Sequence, residues 1–166
     1  MTQSTPLHTG GCQCGAVRFA LYAEPKPATI CHCRMCQKAF GTFFGPLAAI
    51  PSDDMAWTRG APAIFASSDK AERGFCANCG TPLTFAYVGS GMIDLALGAF
   101  DEPSRIPLGD QLAVESAIPS FFELATRPRR APDPEAELAE IAASNHQHPD
   151  HDTDTWAPYP ARALNM

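Results

Sequence analysis

The chain has 166 residues, enough for one domain with its own hydrophobic core. Its formal net charge of -6 argues against a nucleic-acid partner, because phosphate binding normally requires a basic face. No apolar run approaches the roughly 20 residues that cross a bilayer, and residues 1–11 lack the basic start and apolar stretch of a secretory signal. We therefore expect a protein of the reducing cytoplasm that binds neither nucleic acid nor a membrane.

Alternating apolar residues, separated by frequent glycine and proline, predict a mainly β domain. In residues 16–22, apolar Val17, Phe19 and Leu21 would face one side and Arg18 the other, which is typical of a half-buried strand. Further strands are predicted at residues 42–50, 63–67, 81–88, 92–100 and 111–116.

Two short helices are also predicted. A helical turn after Cys31 would place Cys33 and Cys36 on one side, because residues three apart are neighbours on a helix. A second helix would begin where Asp133 can cap it and Pro134 suits its first position, and it would end near Asn145. Its apolar stripe is thin, so we expect peripheral packing for Leu138, Ile141 and Ala142.

The composition changes near Arg127, where a short basic stretch precedes a segment rich in proline, aspartate, histidine and alanine. We therefore predict a β domain over residues 1–128, and a helix with a partly disordered tail over residues 129–166. The tail contains His146, His148 and His151, which we interpret as solvated side chains, with a metal-binding role as the alternative.

All seven cysteines fall into three short groups, which scattered core cysteines would not do. Disulfides are rare in reducing compartments, and such short spacings are typical of metal ligands. The groups are Cys12 with Cys14, Cys31 with Cys33 and Cys36, and Cys76 with Cys79.

The first and third groups predict a closed structural zinc site. Each of these pairs is followed directly by a glycine, which permits the knuckle-like turn of a zinc site. Four thiolates complete a tetrahedral zinc site, and such a site contributes folding free energy of about 10 kcal/mol or more. We call this set the four-cysteine cluster: Cys12, Cys14, Cys76 and Cys79.

The remaining group, the three-cysteine cluster, consists of Cys31, Cys33 and Cys36. Three protein ligands and an open fourth position are typical of a catalytic zinc. Three thiolates on a dication leave a net charge near -1, so this zinc would be poor at generating hydroxide and suited to holding a soft thiolate. The cluster therefore predicts a catalytic zinc site with a thiol substrate.

Three alternatives remain open at this point. The four-cysteine cluster could hold an iron–sulfur centre, and one cysteine of the trio could be a nucleophile or redox thiol. The three-cysteine cluster could also be a second structural site, completed by His8 or a tail histidine. The protein would then be a non-catalytic zinc module that recognises a protein or a small thiol.

Three runs carry a specific resemblance: residues 10–19 (GGCQCGAVRF), 31–36 (CHCRMC) and 73–80 (RGFCANCG). They resemble the glutathione-dependent formaldehyde-activating family, which also includes centromere protein V. The resemblance implies an Mss4-like β-tent fold of small antiparallel sheets, with short helical turns and a C-terminal helix. It also implies two zinc ions per chain, one in each cysteine cluster.

The resemblance further implies a carbon–sulfur lyase that joins glutathione to formaldehyde as S-hydroxymethylglutathione. Glutathione is anionic, so cations should lie near the open zinc position. We expect Arg34 and Lys38 to bind this substrate, with Arg73 as a further candidate, although each could be a solvated surface charge. His32, which lies between two ligands, would orient a neighbouring group or shuttle a proton.

Overall fold

A computed structural model of the protein describes residues 5–157 and 159. The start of the predicted domain, residues 1–4, lies outside the described residues. The same holds for residues 158 and 160–166 of the predicted tail. The prediction of a mainly β fold is confirmed. The described part contains two α-helices, α1 (Arg34–Phe40) and α2 (Glu135–Ala143), and ten strands: β1 (His8–Gly11), β2 (Arg18–Leu21), β3 (Ala28–Cys31), β4 (Gly45–Pro51), β5 (Met55–Arg59), β6 (Ala63–Ser68), β7 (Ala71–Phe75), β8 (Pro82–Tyr87), β9 (Met92–Ala96) and β10 (Leu108–Leu112).

The strands form two sheets of unequal size. One has three strands in the order β1-β2-β5, and the other has seven in the order β10-β3-β4-β9-β8-β7-β6. Neighbouring strands pair antiparallel in both sheets, apart from the parallel pair β10 and β3 at one edge. The second sheet is therefore larger than the small antiparallel sheets that the sequence suggested.

Five of the six predicted strands correspond to β2, β4, β6, β8 and β9. The sixth was expected at residues 111–116, but β10 ends at Leu112 and a 3-10 turn occupies residues 114–116. Ala113 between them has a left-handed backbone with φ of 56°, which ends the strand because extended pairing cannot continue through it.

One hydrophobic core joins the two sheets. Its largest fully buried side chains come from β2, β4, β8 and β9. The ring of Phe19 on β2 packs edge-on against Phe100 and Trp57, with centroid distances of 5.4 and 6.2 Å. Helix α2 lies outside this core with no buried residue, as its thin apolar stripe predicted. None of the described helices is long and apolar enough to span a membrane.

Strand β2 is buried on both faces, in contrast to the half-buried strand expected. Arg18 is only 2% exposed because it donates to both carboxylate oxygens of Asp101, at 2.8 and 2.5 Å, and to Asp152 at 2.8 Å. Asp101 also accepts a hydrogen bond from Thr9. Burial acts to raise the pKa of Asp101, but the hydrogen bonds from Arg18 and Thr9 outweigh it and lower the pKa.

We expect Asp101→Asn to lower the free energy of unfolding by about 3 kcal/mol, because it removes the main countercharge of a buried guanidinium. Urea unfolding of the metal-loaded protein would measure this. Glu102→Gln is the matched control, since its partner Arg105 is exposed and the pair should contribute about 0.5 kcal/mol or less. Equal effects of the two substitutions would contradict a structural role for the Arg18 ion pair.

Candidate metal centres

The four-cysteine cluster forms where the ends of two sheets meet. The Sγ atoms of all four cysteines lie within 4.8 Å of one another, so the set fits one metal ion. Strand β1 ends directly before the first pair, and β7 ends directly before the second pair. Gly15 and Gly80 have φ values of 76° and 79°, and their N–H groups donate back to the carbonyls of Cys12 and Cys76. These left-handed turns let each pair fold back toward a single point.

Neutral donors surround these sulfurs. The backbone N–H of Val17 donates to Cys12 and the amide of Asn78 donates to Cys14, both at 3.2 Å. The hydroxyl of Thr81 lies 3.1 Å from the sulfur of Cys79. Burial raises the pKa of Cys12 to about 12. Burial also acts to raise the pKa of Cys79, but hydrogen bonds, led by those of Thr81, outweigh it and lower the pKa to about 6.

A segment of the C-terminal tail, residues 148–156, covers one side of this cluster; we call it the tail strap. The indole N–H of Trp156 donates to the carbonyl of Cys14 at 2.7 Å, and the N–H of His148 donates to the carbonyl of Gln13 at 2.7 Å. Arg59 on β5 donates to the carbonyl of Thr153 at 2.6 Å. The strap therefore ties the first cysteine turn to the three-stranded sheet.

One of the three tail histidines, His148, differs from the solvated set that we expected. His148 is partly buried, and its Nε2 lies 3.1 Å from the guanidinium of Arg59. Burial, with the nearby charges of Arg18 and Arg59, lowers its pKa. His146 is exposed and stacks on Tyr159, with a centroid distance of 3.6 Å. The prediction of a solvated side chain is therefore wrong for His148, which the strap holds in place.

The three-cysteine cluster lies at the junction of β3 and α1. Its Sγ atoms also lie within 4.8 Å of one another, and among the described residues no fourth cysteine, histidine or carboxylate joins them. Cys31 ends β3, Cys33 caps α1 by accepting a hydrogen bond from the N–H of Cys36, and the predicted helical turn is confirmed. Gly45 on β4 permits this packing, since a Cβ there would lie 3.1 Å from the Cβ of Cys36.

The three sulfurs have unequal surroundings. Burial raises the pKa of Cys31 to about 12. Burial also acts to raise the pKa of Cys33, but hydrogen bonds, first among them that from the N–H of Cys36, outweigh it and lower the pKa. Burial raises the pKa of Cys36 although the adjacent Arg73 acts in the opposite direction. Three convergent thiols of this kind fit a soft divalent ion, whose charge favours their deprotonation.

Arg73 on β7 reaches the three-cysteine cluster from the sheet. Its Nη2 donates to the sulfur of Cys36 at 3.4 Å, and its Nε donates to the hydroxyl of Ser67 at 3.2 Å. The guanidinium also lies over the ring of Phe85, with a distance of 4.9 Å to the centroid. The side chain is thus fixed on three sides, and Arg73 is 7% exposed.

His32 lies beside the cluster without joining it. The imidazole is fully buried, and its Nε2 is 2.9 Å from the amide oxygen of Gln111. The ring packs on Phe121 with a centroid distance of 4.7 Å. Gln37 on α1 donates to the carbonyls of both His32 and Ser116, at 2.7 and 2.9 Å. These contacts fasten the segment after β10 over the β3–α1 junction.

The predicted substrate-binding cations lie together beside this cluster. Arg34 and Lys38 are exposed on α1, and both line a cavity of about 370 Å³ that Arg73 also lines. Phe65 and Met35 add apolar walls. A larger cavity of about 560 Å³ lies instead between α2 and the four-cysteine cluster. Of these two cavities, the smaller combines positive charge with a residue, Arg73, that contacts the three-cysteine cluster.

Sequence reasoning missed several residues that support the two clusters. Asn78 donates to a sulfur, Gln37 donates to neighbouring carbonyls, and the hydroxyl of Thr81 contacts a sulfur. Nothing in the local sequence around these polar residues carried a signal of this role. Trp156 had one, since a tryptophan in a polar tail tends to find an apolar or hydrogen-bonding partner.

Comparison with known proteins shows which family the chain is similar to. Residues 7–114 match the model of the family described as glutathione-dependent formaldehyde-activating enzyme. Over 82 residues the chain is 33% identical to an uncharacterized lyase of Schizosaccharomyces pombe, a stretch that covers 49% of this chain and 59% of the relative. The chain therefore matches little more than half of that relative's length. A crystal structure of a Rhodobacter sphaeroides protein is 18% identical, with a TM-score of 0.46, over 62% of this chain and 98% of that one.

The two clusters should differ in what they do for stability. We expect Cys76→Ser to remove one metal ion and to abolish cooperative thermal unfolding. The reason is that metal binding at a structural site contributes a free energy as large as the whole free energy of unfolding of a typical domain. Cys33→Ser should also remove one metal ion but leave a cooperative transition, since its cluster is built within a six-residue segment. Circular dichroism with elemental analysis would check both, and a cooperative transition in Cys76→Ser would contradict the assignment.

The tail strap should slow the loss of metal from the four-cysteine cluster. We expect Trp156→Phe to speed metal transfer to a colorimetric chelator several-fold, because it deletes the hydrogen bond to Cys14 while keeping an aromatic ring. Tyr22→Phe is the control, since this aromatic lies at the opposite end of β2 from the cluster. Identical release rates in the two variants would show that the strap does not protect the site.

Proposed function

The chain belongs to the glutathione-dependent formaldehyde-activating enzyme family, and we propose that it is a zinc-dependent carbon–sulfur lyase. Its substrate class would be the adduct of a glutathione-type thiol with a small aldehyde, such as S-hydroxymethylglutathione. One observation carries the proposal. The four-cysteine cluster has a complete ligand set, whereas the three-cysteine cluster has three donors among the described residues. Arg73, which donates to the sulfur of Cys36, also lines a cavity together with Arg34 and Lys38.

The two donor sets support different roles. Cys12, Cys14, Cys76 and Cys79 would hold a structural zinc ion, and Cys31, Cys33 and Cys36 a catalytic one. When bound to three thiolates, zinc supplies a soft fourth position suited to the sulfur of a thiol substrate. All seven cysteines are unpaired, as this chemistry requires, and we propose the reducing cytoplasm as the place of action.

The cations of the cavity suit an anionic thiol. Arg34 and Lys38 lie one helical turn apart on the exposed face of α1, and we assign them to the carboxylates of glutathione. In the forward reaction the thiol sulfur forms a bond to the aldehyde carbon, and the carbonyl π electrons move to oxygen. That oxygen takes up the proton that the thiol has lost. The reverse reaction breaks the same carbon–sulfur bond and returns the proton.

The alternative of a non-catalytic zinc module requires a fourth protein ligand at the three-cysteine cluster. His8 pairs with Glu24 at 2.8 Å beside the three-stranded sheet, and His148 lies at the other cluster. His146 stacks on Tyr159, and no histidine of the described residues joins the three cysteine sulfurs. None of the candidates that the sequence offered therefore supports a second closed site.

The direct test follows the formation of S-hydroxymethylglutathione from glutathione and ¹³C-formaldehyde by NMR. We expect the metal-loaded protein to raise the rate above the uncatalysed reaction, and Cys33→Ser to abolish the increase while the four-cysteine cluster keeps its metal. Arg105→Gln, a charge change on an exposed turn, serves as the control. The proposal would be contradicted if the wild-type protein did not raise the rate above the uncatalysed reaction. It would also be contradicted if Cys33→Ser raised the rate as much as the wild type does.

Substrate recognition can be tested separately. We expect the double variant Arg34→Gln with Lys38→Gln to raise KM for glutathione about tenfold or more, since each lost charge-assisted hydrogen bond weakens binding substantially. KM for uncharged 2-mercaptoethanol should change little. Equal changes for the two thiols would exclude carboxylate binding by these residues.

A further inference from the structure

Arg73 is a buried cation with an unusual set of partners. Among the ion pairs of the described residues, none joins Arg73 to a carboxylate. Arg18, which is also buried, pairs with two carboxylates, those of Asp101 and Asp152. The hydrogen-bond partners of Arg73 are the neutral hydroxyl of Ser67 and the sulfur of Cys36. Its Nη1 is buried and has no hydrogen-bond partner in the described part of the chain.

A buried guanidinium without a countercharge is strongly unfavourable, because it loses its hydration and gains no opposing charge. The group in contact with Arg73 that can carry negative charge is the three-cysteine cluster, through Cys36 at 3.4 Å. The placement of Arg73 therefore fits a cluster that is held as thiolates.

Among the described residues, no cation donates to a sulfur of the four-cysteine cluster. Its sulfurs accept hydrogen bonds from the backbone of Val17 and the amide of Asn78, and one contacts the hydroxyl of Thr81; these groups are neutral. All four of its ligands belong to the chain, so this cluster does not have to bind a further thiolate from solution, and no cation is needed to favour such binding. The cation Arg73 lies instead at the three-cysteine cluster, which has three donors among the described residues.

The charges explain why this difference matters. Three thiolates on a divalent ion carry a net charge near -1, and a fourth thiolate would bring it near -2, which opposes binding of that ligand. A positive charge fixed against Cys36 offsets one unit, and in a low-dielectric environment the effect is large.

We propose that Arg73 is a positioning residue that adapts the three-cysteine cluster to an anionic fourth ligand, a thiolate, by compensating the charge that this ligand adds. The inference rests on the proposed function for the metal in this cluster, but it does not require that a carbon–sulfur bond be made. It differs from the role of Arg34 and Lys38, because Arg73 acts on the charge of the sulfur and is indifferent to the rest of the thiol molecule.

Cobalt(II) substitution provides a binding readout that is independent of activity, because thiolate-to-cobalt charge-transfer bands grow with each added sulfur ligand. Glutathione and uncharged 2-mercaptoethanol would each be titrated into the fully loaded protein. We expect Arg73→Gln to weaken both thiols by a similar factor, about tenfold or more. Arg73→Lys, which keeps the charge, should restore most of the affinity. Arg34→Gln should weaken glutathione alone.

Each other outcome overturns the inference. A loss confined to glutathione would make Arg73 a carboxylate-binding residue, and unchanged affinities would deny it any role in binding. If Arg73→Gln and Arg73→Lys both lose the second cobalt ion, Arg73 only assembles the cluster.

Failure of the proposed lyase function can be distinguished from failure of the role proposed for Arg73. If the wild-type protein binds both thiols with these variant effects but does not raise the rate of S-hydroxymethylglutathione formation, the lyase proposal fails and the role of Arg73 stands. If the wild-type protein binds neither thiol, the cluster is closed and both proposals fail.

Discussion

Two cysteine turns that lie far apart in the chain meet at one point, and much of the remaining structure depends on that meeting. Cys14 and Cys76 are 62 residues apart, yet their sulfurs lie 3.8 Å from each other. The stretch between them contains β2 to β7, α1 and the whole three-cysteine cluster. A metal ion in the four-cysteine cluster would fasten the two sheets together beside the shared core and so fix the frame on which the other cluster is built.

The different roles that we propose for the two clusters follow from their local geometry. The four-cysteine cluster draws on two glycine turns, neutral hydrogen-bond donors and the tail strap, which support a complete ligand set. The three-cysteine cluster is assembled at one strand–helix junction, with three donors among the described residues and a fixed cation beside it. Closed coordination suits stability, whereas a short ligand set beside a charged cavity suits ligand exchange.

The two sets of cysteines were predictable because the short groups are visible in the sequence and a closed tetrahedral site needs two pairs, and the structure brings together the same two sets. The strand through Phe19 was equally predictable from alternation. The charged face of that strand was not, because the partners of Arg18 are Asp101 and Asp152, which are distant in sequence. The position of Arg73 depends on the register that sets it opposite Phe85, and β7 itself has no clear alternation. Such long-range pairings leave no local pattern.

The central claim is that the three-cysteine cluster holds a zinc ion with one position free for a thiolate. X-ray absorption at the zinc edge, combined with elemental analysis, tests it most directly. We expect two zinc ions per chain, with the seven cysteine sulfurs divided between them, and an eighth sulfur ligand when glutathione is added. One tightly bound zinc ion with complete sulfur coordination, unchanged by glutathione, would contradict it.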